Sequence, residues 1–217
     1  MSDVLKPRVR EIDYASSDGN PMAETDLHRD IAVYVIEALK AHFAPRPEVY
    51  VSGNNFIYYE EGNPKARVSP DAYVVTGVGM HPRDSYFVWR EGGAVPDVVF
   101  EFTSRKTRRE DTDTKRPLYE QSLGVPEYFL FDPRGDYLKP RFQGFRLIEG
   151  GYVSLEVVDG RLYSQRLGLD LVQDGQLLRL VDPRTGERLL TPLEQHQENT
   201  ALRAEIEGLR RRLKEEG

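Results

Sequence analysis

The segment Pro96-Asp97-Val98-Val99-Phe100-Glu101-Phe102-Thr103 sets one carboxylate inside a run that is otherwise apolar. A near-continuous apolar run of this length reads as a strand covered on both faces, the kind found in parallel sheets. Alternation sends Val98, Phe100 and Phe102 to one side and Val99, Glu101 and Thr103 to the other. A carboxylate in such a place is costly unless a cation compensates it. An arginine in a structural salt bridge would serve, and so would a hard divalent cation, which prefers oxygen ligands. The residues alone leave both readings open.

The flanking chain alternates helix and strand patterns. Leu27, Ile31, Val35 and Leu39 recur every four residues, with Ala32 and Ile36 widening the stripe, so positions 23 to 43 read as a helix. Thr25 or Asp26 would cap it, and Pro45 and Pro47 end it. Glu24 and His28 share one of its faces. Val49 to Tyr59 reads as a strand bent near Gly53, and Val68 to Val75 as a second strand pairing with it antiparallel. After the Glu101 strand come a polar, basic stretch from Ser104 to Arg116 and a helix from Pro117 to Leu123. Pro117 is expected in the first turn of that helix. Glu127 to Asp132 is another buried strand, so strand, helix and strand form a βαβ crossover with a parallel pair.

These patterns predict an α/β fold with three parts. A polar N-terminal arm covers 1–22, and a domain covers 23–192, with its core in 23–140 and a β-rich extension over 141–192 lying on the sheet. A charged C-terminal helix covers 193–217. In that helix Leu202, Ile206, Leu209 and Leu213 are spaced four, three and four, which is a heptad seam, and Asn199 stands one heptad before Ile206. Two heptads are marginal alone. A coiled coil that joins the chain into a homo-oligomer, a dimer by expectation, is the partner reading; packing on the domain is the other.

Composition removes several classes. Among the 217 residues there is no cysteine, so disulfides and thiolate metal sites are excluded. No apolar run approaches the roughly 18 to 20 residues that span a bilayer, and the N-terminus has no hydrophobic signal core. Cytoplasm is the default. A net charge of −6 weighs against an extended phosphate-binding surface. A local basic mouth over an acidic cluster remains possible. Arg105, Lys106, Arg108, Arg109, Lys115 and Arg116 outnumber Glu110, Asp111 and Asp113, which makes this stretch the nucleic-acid-facing candidate, against the reading of an ordinary solvated loop. No helix-turn-helix or zinc finger is visible.

The ordered set Ser69-Pro70-Asp71-Ala72-Tyr73-Val74-Val75, Pro96 to Ser104, Lys115, Tyr119 and Gly124 to Pro133 resembles the PD-(D/E)XK nuclease superfamily. Within it, the chain is most similar to a bacterial family of restriction endonuclease-like domains formerly of unknown function. The likeness runs from about Glu24 to Pro133. It implies a mixed β-sheet flanked by helices and a hydrolase site in which Asp71 and Glu101 bind Mg²⁺, or Mn²⁺, with the main-chain carbonyl of Phe102. The implied reaction is endonuclease cleavage of DNA, ahead of RNA, by a metal-activated water. In the superfamily pattern a lysine follows the acid by two residues, but Thr103 stands there. Lys115, from the following helical segment, is the preferred replacement and Lys106 its rival. The catalytic set is thus Asp71, Glu101 and Lys115, with Glu24, His28 and Lys106 secondary and Arg105, Lys106, Arg108 and Arg109 facing nucleic acid. Tyr119 reads as core or as orienting the lysine, and Asp97 as a strand-edge residue; the structural role is preferred for both. The competing reading is a nuclease fold that no longer cuts and serves as a binding or assembly module through its C-terminal helix.

Overall fold

The computed structural model describes residues 12–16, 25–105 and 107–215. Helix α1 spans Asp26–Phe43, and the Thr25 hydroxyl accepts the His28 N–H at its start. Its stripe of Ile31, Ala32, Val35, Ala38, Leu39 and Phe43 is buried. The strands follow as β1 (Val49–Ser52), β2 (Phe56–Tyr58), β3 (Arg67–Val68), β4 (Ala72–Thr76), β5 (Ser85–Phe87) and β6 (Val98–Phe102). After a helical connection come β7 (Glu127–Phe131), β8 (Phe142–Ile148), β9 (Gly151–Ser154), β10 (Arg161–Ser164), β11 (Leu169–Asp174) and β12 (Leu177–Val181). Helix α2 spans Pro192–Glu215.

The main sheet has the order β1-β4-β6-β7-β8-β9, and only β6 and β7 in it run parallel. This is the expected crossover. The single bent strand over 49–59 is instead two strands in two sheets: β1 pairs with β4, while β2 joins β3 and β5 in a small sheet. Gly53 is the reason. A Cβ on Gly53 would lie 2.1 Å from the Asp71 carbonyl oxygen, so only glycine lets the two backbones pass this closely. The Asn54 N–H then donates to the Pro70 carbonyl at 2.8 Å.

Two other expectations are corrected. Pro117 lies between two π-helical segments, Glu110–Lys115 and Leu118–Leu123, rather than in a first turn. In a regular α-helix its ring would meet the carbonyl four residues back. The wider winding, visible where the Arg116 N–H reaches the Asp111 carbonyl, relieves that conflict. The segment after Pro140 does not simply cover the sheet: β8 and β9 extend it, and only β10–β12 form a separate sheet.

The result buries both faces of β6. On one side α1 and the β10–β12 sheet pack on Val98, Phe100 and Phe102. On the other, Tyr119 and Leu123 of the helical connection pack with Val99, Tyr128 and Leu130. Glu127, only 1% exposed, fastens the second sheet to the first by accepting from Arg146, Ser164 and the Gln165 N–H. Glu101 therefore sits in a closed layer, which sharpens the question of what balances it. No helix among the described residues is long and apolar enough to cross a membrane.

Candidate active site

The β4–β6 ladder ends with Ala72 opposite Phe100. One step further along this antiparallel register stand Asp71 and Glu101. Because backbone pairing stops there, the Phe102 N–H is left for a side chain, and it donates to Asp71 Oδ2 at 2.6 Å. His28, from the first turn of α1, places Nε2 3.3 Å from the same oxygen. Three elements thus fix Asp71: β4 begins directly after it, β6 grips it and α1 flanks it.

Glu101 is held from the other side. Its Oε2 lies 2.8 Å from Lys115 Nζ, and its Oε1 accepts the Tyr119 hydroxyl at 2.8 Å. The Lys115 ammonium also lies 3.3 Å from Asp111 Oδ1. That contact is within ion-pair range without hydrogen-bond geometry, since both Asp111 carboxylate oxygens are buried with no hydrogen-bond partner among the described residues. Tyr128 donates to the Asp111 carbonyl at 3.0 Å, which ties this helical turn to β7.

Burial pushes the Glu101 carboxyl well above the usual carboxylate range; Lys115 opposes this, and the charges of Asp71 and Asp111 add to it. Asp111 is raised too, first by burial. Burial disfavours the Lys115 ammonium, but Glu101, Asp111 and Asp71 outweigh it and hold the lysine above its ordinary value. Three carboxylates thus act on one ammonium. With all of them ionised the cluster carries two uncompensated negative charges, which is the charge of one divalent cation.

A cleft of about 370 Å³ opens over Asp71, lined also by His28, Thr103, Arg105, Arg134 and Tyr137. Glu101, Lys115 and Asp111 lie behind that wall and are all nearly inaccessible. Thr103 offers a buried hydroxyl with no hydrogen-bond partner among the described residues. The cleft is therefore lined by cations at its mouth and by an acid at its base.

The structure brings Asp71, Glu101, Lys115 and His28 to one end of β6, with Tyr119 beside them. Tyr119 is buried, as the core reading has it, but its hydroxyl holds the acid rather than the amine. Asp97 is a strand-edge clamp, accepting the Thr76 N–H and hydroxyl at 2.7 Å. Arg105, Arg108 and Arg109 are exposed, and Arg105 lines the cleft. Glu24 and Lys106 lie outside the described residues.

Three contributors escaped the sequence reading. Asp111 stands four residues before Lys115 on the same winding, a spacing that could have marked it. Asp132 accepts the N–H groups of Arg134, Gly135, Tyr137 and Leu138, shaping the loop that lines the cleft. The Asp-Pro-Arg-Gly sequence is the signal for that turn. Arg134 is the third contributor, a second cation at the mouth.

The donor set fits a hard cation by chemistry, with two carboxylates at a strand end and a buried hydroxyl with no hydrogen-bond partner among the described residues. Among the described residues no three His, Asp or Glu side chains already stand together as ligands. The remaining donors would be the main chain and water.

A mixed sheet with helices on both faces, and an acid pair and a lysine where two strands part, defines an α/β fold with a buried polar site. Residues 6–181 match the Uma2 family model, described as "Putative restriction endonuclease", and the chain belongs to that family. A crystal structure described as a "putative nuclease belonging to DUF820", from Anabaena variabilis, is 13% identical over 66% of this chain and 75% of that chain, with a TM-score of 0.46. No curated protein matches.

Proposed function

We propose that the chain is a metal-dependent endonuclease that hydrolyses phosphodiester bonds in DNA, ahead of RNA, in the cytoplasm. Asp71, Glu101 and the Phe102 carbonyl would hold Mg²⁺, or Mn²⁺. The observation that carries this reading is the convergence of Asp71, Glu101 and Lys115 from β4, β6 and the helical connection. When bound, the cation lowers the pKa of water and offsets charge on the scissile phosphate.

The side chains divide the remaining work. His28 and the Phe102 N–H keep Asp71 Oδ2 turned toward β6. Tyr119 fixes one Glu101 oxygen, leaving the other to Lys115. The Lys115 ammonium, buried against Glu101 and Asp111 behind the cleft wall, supplies positive charge and holds the Glu101 carboxylate in place. Arg105 and Arg134 receive the flanking phosphates at the cleft mouth.

Purified chain should nick supercoiled plasmid with Mg²⁺, and Asp71→Asn or Glu101→Gln should remove the nicking while the fold persists. Undiminished nicking in both variants would refute the assignment.

One observation favours the second reading, a nuclease fold that binds without cutting. Lys115 already pairs with Glu101 directly. Calorimetry separates the two: heat of binding at millimolar Mg²⁺ or Mn²⁺, lost in Asp71→Asn, supports the enzyme, and its absence supports the binding module.

A further inference from the structure

Helix α2 leaves its seam uncovered. Leu202, Ile206, Leu209 and Leu213 are 49%, 48%, 46% and 70% exposed, so the body of the protein does not bury them. We propose that a second copy of this chain covers them in a parallel, two-stranded coiled coil.

In heptad terms Asn199, Ile206 and Leu213 take position a, and Leu202 and Leu209 take position d. A β-branched residue at a with leucine at d favours two strands, and one polar Asn at a fixes register. The flanks set the direction. Glu198 and Glu205 stand at g, and Arg203 and Arg210 at e. In a parallel pair each g residue faces the e residue five positions on in the other helix. Glu198 then meets Arg203 and Glu205 meets Arg210, once on each side. An antiparallel pair would bring e against e, arginine toward arginine.

Within one chain these acids have no cation to hold. The residues three and four away from Glu198 are Glu194, Gln195, Ala201 and Leu202, and those around Glu205 are Ala201, Leu202, Gly208 and Leu209. Among the described residues α2 makes its ion pair near its start, from Glu194 to Arg179, and Glu198, Arg203, Glu205 and Arg210 are exposed without one. A second helix supplies the missing partners. Both folded bodies then sit at the same end of the coil, since each precedes its α2 in sequence. The pairing is independent of the nuclease reading.

Sedimentation of the full chain from micromolar to near-millimolar concentration tests this. The chain should dimerise. Glu205→Arg or Arg210→Glu alone should weaken the dimer about ten-fold, because each sets like charges together twice. The combined variant should recover wild-type affinity. Both positions are exposed, and an unchanged melting temperature of the body shows that any loss lies in association. A chain monomeric throughout overturns the proposal, as does a dimer that neither reversal weakens. Weakening by each without rescue overturns the parallel pairing.

Discussion

Lys115 stands between two buried acids, 2.8 Å from Glu101 Oε2 and 3.3 Å from Asp111 Oδ1, so one ammonium serves both. Removing it leaves charge in a closed layer. Lys115→Met should lower stability by about 3 kcal/mol near neutral pH, the cost of breaking a buried pair. Burial raises the Glu101 carboxyl, and a raised acid favours the folded state at low pH, below its unfolded value. The variant's deficit should therefore shrink as pH falls toward the ordinary carboxylate range. Urea unfolding at about pH 5 and about pH 8 checks this, and an equal deficit at both contradicts it.

Tyr119 and Glu101 share a hydrogen bond in which the hydroxyl donates to Oε1 of the acid. Tyr119→Phe keeps the ring in its core and deletes only the donor. The expected loss is about 1.5 kcal/mol of stability. Nicking should fall because the acid gains freedom to turn. Unchanged stability and rate together would remove Tyr119 from the site.

Gly53 controls the position of Asp71 through backbone contact alone. Gly53→Ala should displace the Asp71 segment and lower stability by about 2 kcal/mol, in the range of overpacked sites. Its effect on metal affinity should exceed that of Gly77→Ala, where a Cβ would meet nothing within 4 Å but the φ of +82° is also unfavourable. Calorimetry on the two variants makes the comparison.

The Arg105 and Arg134 side chains line the cleft and pair with neither Asp71 nor Glu101 among the described residues. Each changed to alanine should weaken DNA binding across sequences alike and reduce the salt dependence of log affinity by about 1. A sequence-dependent loss would mean that the arginine reads bases.

Much of this arrangement is legible in the chain. The apolar run interrupted by Glu101, the Pro-Asp before β4 and the strand-helix-strand spacing carry local information, and the structure places them as the patterns expect. What escapes are features decided by contact between distant segments. The split at Gly53 depends on Asp71 passing beside it. The π winding on either side of Pro117 accompanies the placing of Lys115 and Tyr119 on Glu101. Asp111 looks like one more surface acid in a charged stretch until the fold closes over it. Glu127 is likewise unremarkable in sequence, and its five-atom grip on Arg146, Ser164, Gln165 and Arg166 appears only when the two sheets meet.

The early end of the β4–β6 ladder has a consequence for engineering on this scaffold. Had the strands stayed zipped for one more pair, the Phe102 amide would be spent on main chain and Asp71 would lose its anchor. Transplanting the acids and the lysine onto a continuous sheet would therefore reproduce the residues and lose the opening they share. The portable unit is the fork between the strands, with glycine at its crotch.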